Sequence, residues 1–263
     1  MYLDFHVHIF ADAIAARAID AVGSAAGIQP ETDGTQADTR RKLAAWGVDR
    51  AVILPIATKP TQQHTINHWA AGLQDDLFVC FGTLHPDAPD VLETVAEIKA
   101  LGLHGVKLHP DYQGFSPEDP RMLPVYRTCA AAGLPVLFHA GYDPISPTKT
   151  RGTPEVFARL ADAVPELTLI LAHMGGVFQW DAAEACLLGR RNVYLDTSYI
   201  SRDLPVPQLA RMIRAHGADR ILFASDCPWD SPLLVREKLS QCGLSEAALA
   251  QIYAGNANRL LGL

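Results

Sequence analysis

Asp4-Phe5-His6-Val7-His8, close to the start of the chain, carries two histidines two residues apart inside an apolar run. Successive residues of a β-strand point to opposite faces, so His6 and His8 are predicted to share one face of a strand, with Asp4 beside them. The residues expected on the opposite face are Leu3, Phe5 and Val7. Two neutral imidazoles directed at one point are typical of a transition-metal site, for example a zinc site. The alternative is a hydrogen-bonded pair of core histidines.

Apolar strands and helices alternate along the rest of the sequence. Eight short strands are predicted, and a helical segment follows each of them. The strands after the first are Val48–Ile56, Leu77–Leu84, His104–His109, Leu134–His139, Leu167–His173, Asn192–Ser198 and Arg220–Ser225. Such alternation implies a parallel sheet, and strands that are apolar on both faces are typical of a sheet covered by helices. The count predicts an α/β fold, a single (β/α)8 TIM barrel that could be distorted, and leaves a doubly wound open sheet as the alternative.

Length and composition agree with one barrel. The chain has 263 residues, of which 49% are hydrophobic, and a (β/α)8 barrel takes about 250 residues. No linker or shift in composition divides the chain, so we predict a single domain over residues 1–263. The formal net charge of −7 and the lack of a dense basic tract argue against binding to nucleic acid. No apolar run approaches the ~18 residues that a membrane span needs.

The five cysteines are scattered along the chain without a CxxC pair. An odd number of cysteines in a chain of this length argues against a disulfide framework and favours a reducing cytoplasm. No basic-then-apolar leader precedes the first strand, so a cytoplasmic protein is expected. The sequence leaves open whether the chain forms a homo-oligomer.

Titratable side chains follow the ends of most predicted strands. In a TIM barrel the carboxyl ends of the strands meet at one face, where active sites lie. Beyond the histidine pair, these residues are Lys107, His109, His139, His173, Asp196 and Asp226. Alternation along each strand allows all of them to point into the same mouth. Ionisable groups crowded there without partners would be costly, and a bound metal ion removes that cost, so we predict a metal site.

The motifs at these strand ends resemble those of the amidohydrolase superfamily of metal-dependent barrel enzymes. The His-x-His on the first strand, the histidines on the fifth and sixth strands and the aspartate on the eighth follow the order of that family. More narrowly, the sequence resembles the amidohydrolase-related branch, which includes aminocarboxymuconate-semialdehyde decarboxylase and related aromatic-acid decarboxylases. The segments that carry this likeness are Gly-Val-Lys-Leu-His-Pro (105–110), Phe-His-Ala-Gly (138–141), Ala-His-Met-Gly-Gly (172–176), Leu-Asp-Thr-Ser (195–198), Ala-Ser-Asp-Cys-Pro-Trp (224–229) and Asn-Ala-Asn-Arg-Leu-Leu-Gly (256–262). The resemblance runs from Asp4 to Leu263.

The resemblance implies a centre with one metal ion, held by His6, His8, His139 and Asp226. Zinc suits this mixed set of nitrogen and oxygen ligands, and manganese and iron are alternatives. The resemblance further implies that His173 acts on a metal-bound water as general base or orienter, and that Asp226 shares the proton. The alternative for His173 is a supporting residue that takes no part in proton transfer.

Lys107 leaves the number of metal ions open. In some members of the superfamily a carboxylated lysine at the end of the fourth strand bridges two metals, and His139 and His173 would then hold the second ion. The local motifs favour one ion. In that case Lys107 would bind a carboxylate of the substrate, or would pair with Asp4 or Asp196.

Three loop residues are further candidates for substrate binding. His109 and Tyr112 belong to the loop after the fourth strand and could line the pocket. Arg151 lies in the long loop after the fifth strand, where its guanidinium could bind a carboxylate through two hydrogen bonds or could be a solvated charge.

We therefore predict a metal-dependent hydrolase of the amidohydrolase type that attacks a C–N or C–O bond of a small, carboxylated substrate with a metal-bound water. The alternative enzyme is a zinc-dependent non-oxidative decarboxylase of an aromatic or enoic acid, which is a lyase with the same metal ligands. Two hypotheses without catalysis stay open. One is a barrel that binds a small ligand without converting it, and the other is a structural metal site with a closed shell of four ligands.

Overall fold

A computed structural model describes residues 1–263 and confirms the predicted barrel. Every pair of neighbouring strands is parallel, and β3 and β4 form one barrel position interrupted at Phe81, within the predicted strand Leu77–Leu84. The strands are β1 (Leu3–Val7), β2 (Arg50–Ile53), β3 (Phe78–Cys80), β4 (Gly82–Thr83), β5 (Val106–Leu108), β6 (Val136–Phe138), β7 (Leu169–Leu171), β8 (Val193–Asp196) and β9 (Ile221–Leu222).

Backbone hydrogen bonds join the strands into a closed ring at two junctions. Between the second and third barrel positions, the N–H of Phe81 donates to the carbonyl of Ile53 (3.0 Å). Between the last position and the first, the N–H of Phe5 donates to the carbonyl of Phe223 (2.8 Å). These bonds give a closed barrel rather than the open sheet of the doubly wound alternative.

Twelve α-helices follow and cover the strands. They are α1 (Asp12–Ala26), α2 (Gln36–Ala45), α3 (Gln63–Leu73), α4 (Val91–Ala100), α5 (Pro110–Gln113), α6 (Leu123–Ala131), α7 (Pro154–Ala163), α8 (Trp180–Cys186), α9 (Val206–His216), α10 (Pro232–Ser240), α11 (Glu246–Ala250) and α12 (Asn256–Leu261). Between α11 and α12 the chain forms a π-helical turn, Gln251–Gly255. None of these helices is both long enough and apolar enough to cross a membrane.

The apolar core has two layers. An interior cluster joins residues of non-adjacent strands, such as Phe5 and Phe81, whose ring centroids lie 5.8 Å apart. An outer layer fills the space between the strands and the helices, with Val136 and Phe138 as its contribution from β6. In β6 the next inward position after Leu137 is the predicted ligand His139, so regular alternation delivers this side chain to the barrel mouth.

Strand β1 departs from the alternation that its sequence predicts. Leu3 and Phe5 belong to the interior cluster, whereas Val7 belongs to the outer layer. Between Asp4 and Val7 the register against β2 shifts by one residue, which is a β-bulge. Bulges are common beside active sites, because the extra residue re-aims the side chains that follow it. Here the bulge turns the histidine pair into the mouth of the barrel.

The prediction that Asp4 shares the face of the histidine pair is wrong. Its buried carboxylate accepts hydrogen bonds from the backbone N–H groups of Ser225 (2.8 Å) and His6 (3.2 Å). These bonds tie β1 to the segment after β9, and they leave the Asp4 carboxylate no bond to Lys107, one of the two partners considered for that lysine.

Candidate metal centre

Three predicted metal ligands meet at the mouth of the barrel. Nε2 of His6 and Nε2 of His8 are 3.1 Å apart, and Oδ1 of Asp226 lies 3.3 Å from each of them. The three side chains are buried or nearly so, and their ligand atoms are close enough to hold one ion. Asp226 reaches this position with a left-handed backbone (φ 74°), four residues after the end of β9.

The outer nitrogens of the two histidines fix how each ring is protonated. Nδ1 of His6 lies 2.8 Å from Oδ2 of Asp196, and Nδ1 of His8 lies 3.0 Å from the carbonyl oxygen of Leu54. Both partners are acceptors, so each Nδ1 carries the hydrogen and each Nε2 presents a lone pair. Two lone pairs and a carboxylate oxygen therefore face one another. A divalent cation satisfies such a donor set, and the chemistry of these residues fits zinc, manganese or iron.

Burial keeps the imidazoles of this group neutral, as metal ligands must be. It lowers the pKa of His8 to about 3 and that of His6 well below the usual value, and the nearby Lys107 ammonium lowers both further.

Lys107 lies at the floor of the same site. Its Nζ is 3.2 Å from Nε2 of His6, and only 1% of the residue is exposed. Burial lowers its pKa to about 8, although the carboxylates of Asp226 and Asp196 favour the charged form. The structure therefore places a buried lysine beside the proposed ligands.

His139 and His173 form a second pair with the same character. Nδ1 of His139 is 3.1 Å from Nε2 of His173. Nε2 of His139 faces the carbonyl oxygen of Tyr142 (3.3 Å), and Nδ1 of His173 faces that of Ser198 (3.1 Å). Since both partners are acceptors, these two nitrogens carry the hydrogens. Two more lone pairs thus face each other. The ring of His173 also lies beside that of His6, with centroids 5.5 Å apart, so the two pairs adjoin.

His173 reaches the mouth by a route that strand alternation does not describe. In β7 Ile170 and Ala172 point inward, and Leu171 points outward, so regular alternation would send His173 outward. Its backbone instead takes a left-handed conformation (φ 59°), and its N–H donates to Oδ1 of Asp196 (2.9 Å). A left-handed histidine is uncommon, and such residues concentrate at functional sites.

A third group extends the site with His109 and Tyr112, which lie at the start of α5 and within it, and with Asp143, which follows β6. The ring of His109 stacks between those of Tyr112 and His139, with centroid distances of 3.6 and 4.1 Å. The Tyr112 hydroxyl donates to Oδ2 of Asp143 (3.1 Å), which also lies 3.5 Å from Nε2 of His109. His109, His139 and Asp143 are the second set of side chains with ligand atoms in close reach.

A cavity of about 640 Å3 opens above these groups. Its lining includes nearly all the predicted site residues: His6, His8, Lys107, His109, Tyr112, His139, His173 and Asp226. Arg151 is the exception. Its Nη1 lies 3.4 Å from Oδ1 of Asp111, and its backbone N–H donates to the same oxygen (2.9 Å). The expected contact of Arg151 with substrate is not supported, because this ion pair holds the guanidinium outside the cavity lining.

Asp143 and Tyr199 line the cavity, and the sequence predicted neither of them as a site residue. Asp143 lies four residues after His139. A carboxylate so soon after a histidine at a strand end is a local pattern that could have indicated a site residue. Tyr199 follows the aspartate motif of β8 and lies in the lining with a left-handed backbone (φ 54°). No local pattern marks such a conformation in a non-glycine residue.

Comparisons with known proteins agree with this architecture. Residues 3–263 match the family model described as Amidohydrolase. A TIM-barrel protein from Bordetella bronchiseptica is 22% identical, with 99% of this chain and 98% of that chain covered and a TM-score of 0.75. A dihydroxybenzoic acid decarboxylase from Polaromonas, with bound manganese and an inhibitor, is 20% identical over 100% of this chain and 97% of that chain, with a TM-score of 0.74. A candidate 2-pyrone-4,6-dicarboxylic acid hydrolase from Pseudomonas putida is 21% identical over 99% and 97% of the two chains, with a TM-score of 0.69.

No curated protein matches the chain in sequence. At these levels of identity the likeness to solved structures shows the shared fold alone.

Proposed function

Since the chain belongs to the amidohydrolase family, we propose that it is a metal-dependent hydrolase of a small, carboxylated substrate. The observation that carries the proposal is the pairing of unprotonated imidazole nitrogens, His6 with His8 and His139 with His173, beside the Asp226 carboxylate and a buried lysine. All of them face one cavity. A site that only stabilised the fold would have no reason to open onto such a space.

We assign the metal to His6, His8 and Asp226, with His139 as the fourth ligand. Zinc is the first choice for this donor set, and manganese is the second, since a decarboxylase of the same fold holds manganese. When bound, a divalent ion supplies Lewis acidity and lowers the pKa of a water molecule toward about 7.

His173 is proposed to orient the attacking water. Its Nδ1 is held by the carbonyl and the hydroxyl of Ser198, at 3.1 and 2.9 Å, so its Nε2 is presented to the site as an acceptor. Burial lowers its pKa to about 3, so the ring holds the water by a hydrogen bond and takes the proton only as charge develops during the reaction. Asp226 is the second acceptor for that proton.

Lys107 is proposed to bind the carboxylate of the substrate. A buried ammonium whose pKa has fallen to about 8 gains most from a partner of opposite charge. His109 and Tyr112 line the same cavity and would contact the substrate from α5 and the residue before it.

Hydrolysis is tested by running the reaction in water enriched in oxygen-18, with the metal content of the same preparation measured by elemental analysis. We expect one ion per chain and label in the product. Replacement of His173 by Asn should lower kcat by at least about 100-fold with the metal retained. His68→Asn is the matched control, since that side chain is 65% exposed on α3.

Loss of the ion without loss of activity would contradict the proposal. Two ions per chain would favour instead the carboxylated form of Lys107 as a bridge between metals.

A non-oxidative decarboxylase is the second candidate. The observation that favours it is the cavity above the polar floor, where 20 of 32 lining residues are hydrophobic. Apolar walls suit an aromatic ring whose C–C bond to its carboxylate breaks, with carbon dioxide released and a proton taking its place on the ring. Release of carbon dioxide without solvent oxygen in the product would favour this reaction over hydrolysis.

We further propose that residues 1–263 act as one catalytic domain in the cytoplasm, without a nucleic-acid partner. All five cysteines are unpaired, in keeping with a reducing compartment.

A further inference from the structure

Helix α1 packs differently from other helices around the barrel. Only Ala15 and Gly23 of its 15 residues are buried, whereas five of the 11 residues of α9 are. The apolar stripe of α1 lines the cavity instead, and consists of Ile14, Ala18, Ala21, Val22, Ala25 and Ala26. These positions recur at intervals of three and four residues, so they lie on one face of the helix. A helix that covers a barrel normally packs its apolar face against the strands, whereas α1 turns its apolar face toward the cavity.

The lining beyond this stripe is also apolar and leads back to the metal centre. Helix α3 contributes Ile66 and Trp69, both half-buried. Leu54, which follows β2, belongs to the lining, and its carbonyl oxygen lies 3.0 Å from Nδ1 of His8. The apolar part of the cavity is therefore continuous with the proposed active site.

Charge divides the cavity into two parts. Among its 32 lining residues, the lysine and the carboxylates are Lys107, Asp143 and Asp226, and all three lie with the histidines. The part lined by α1 and α3 carries no lysine, arginine or acidic side chain. A volume of 640 Å3 has room for roughly 20 non-hydrogen atoms if each takes about the 30 Å3 of a water molecule. An acid with one ring would fill about half of it.

We infer that the substrate is an amphipathic carboxylic acid with an extended apolar body. Its charged end lies at Lys107 and the histidines, and its apolar body, a chain or a second ring, lies along the apolar stripe of α1. This inference rests on the proposed function, because the carboxylate and the reacting bond must reach the metal centre. An apolar occupant removes from water a helix face that is otherwise exposed, including Ile14 at 42%.

The test is equilibrium binding of straight-chain monocarboxylates, from butanoate to decanoate, to the enzyme with its metal, measured by calorimetry. A methylene group that becomes buried contributes up to about fourfold in affinity. We expect the affinity to rise two- to fourfold with each added methylene, and decanoate to bind at least about 50-fold more tightly than butanoate. A flat series would overturn the inference.

Two variants separate the cavity from the rest of the surface. Ala18→Phe fills the space beside the apolar stripe of α1, and should reduce the preference for decanoate over butanoate to less than about fivefold. Ala16→Phe adds the same ring to an exposed position of the same helix outside the lining, and should keep the full preference. Ile14→Asn makes the stripe less apolar without added volume and should also weaken the preference for decanoate. It replaces Ala18→Phe as the test if that variant is unstable.

The remaining outcomes are also decisive. If Ala18→Phe changes the sedimentation mass and leaves the chain-length series intact, the stripe is an interface between copies of the chain and the inference fails. A steep series with no solvent oxygen in any product would retain the apolar site and reject hydrolysis. A flat series with labelled product would do the reverse.

Discussion

At the scale of single residues, the site depends on groups that hold the proposed ligands in one protonation state. Asp196 is the central example. One of its oxygens accepts from Nδ1 of His6, and the other accepts from the backbone N–H groups of His173 (2.9 Å) and Ser198 (3.0 Å). One carboxylate thus orients a ligand and fixes the left-handed turn that brings His173 into the mouth.

Asp196→Asn is expected to weaken metal binding by about 10- to 100-fold, the usual effect of losing a group that orients a ligand. The amide presents one donor where the native side chain has only acceptors, so either the His6 ring or the His173 backbone loses its partner. Competition with a chelator measures the change. Asp12→Asn, at an exposed position on α1, should bind metal normally, and an equal loss there would refute the assignment.

Lys107→Met should raise KM for a carboxylated substrate by about 10- to 100-fold, because a charge-assisted hydrogen bond is worth about 1.5–3 kcal/mol. Methionine retains the length of the side chain without its charge. Steady-state kinetics and elemental analysis of the same sample check the result. An unchanged KM would remove Lys107 from substrate binding, and Lys99→Met on α4 is the control at a position exposed to solvent.

At the scale of elements, two departures from regular strand geometry shape the mouth. The bulge in β1 turns the histidine pair inward. After β7 and β9, His173 and Asp226 reach the mouth through left-handed conformations of their own backbones. The loop after β6 is held as tightly. Gly141 has φ 88°, its N–H donates to the carbonyl of Gly152 (2.8 Å), and a Cβ built on it would lie 2.1 Å from the backbone nitrogen of Val177.

Gly141→Ala is expected to lower the free energy of unfolding by about 2–4 kcal/mol, because strain at this φ and a clash with backbone cannot relax locally. It should also disturb the nearby His139. Urea denaturation measures the loss. Gly72→Ala within α3 is the matched control, since its Cβ meets nothing within 4 Å, and it should stabilise by up to about 1 kcal/mol. Equal effects of the two changes would contradict the structure.

At the scale of the whole molecule, buried neutral histidines couple stability to pH. His216 ends α9 and is 1% exposed. Its Nε2 donates to the carbonyl of Val193 (3.0 Å), and its Nδ1 accepts from the N–H of Gly189 (3.2 Å). It therefore links α9 to β8 as a neutral ring. Burial lowers the pKa of His216 to about 4, so the ring stays neutral at the end of the helix.

This lowered pKa predicts a loss of stability in acid. Between pH 6.5 and about 4 the unfolded chain binds a proton at His216 that the folded chain does not, so stability is complete above pH 6.5 and falls as the pH drops through this window. The loss amounts to about 3 kcal/mol. His216→Gln should abolish that share of the pH dependence, measured by denaturation at a series of pH values. Parallel curves for the two proteins would show that His216 does not titrate as described.

The sequence alone was enough for the barrel and for most of the residues at its mouth. Alternating apolar segments recur along the whole chain, and strand ends are where a barrel gathers its polar side chains, so His139, Lys107 and Asp226 could be placed from local patterns. The motifs around them led to the same family that the comparison of residues 3–263 shows.

Only the tertiary structure decided how these side chains are oriented and partnered. Period-two alternation is a property of regular strands, so it misplaces Asp4 at a bulge and does not account for His173 in a left-handed turn. The pairing of Arg151 with Asp111, 40 positions apart, and of His6 with Asp196, 190 positions apart, leaves no trace in any short segment. Such contacts arise when the closed ring of strands brings distant loops together, because a side chain then bonds whichever partner lies within reach.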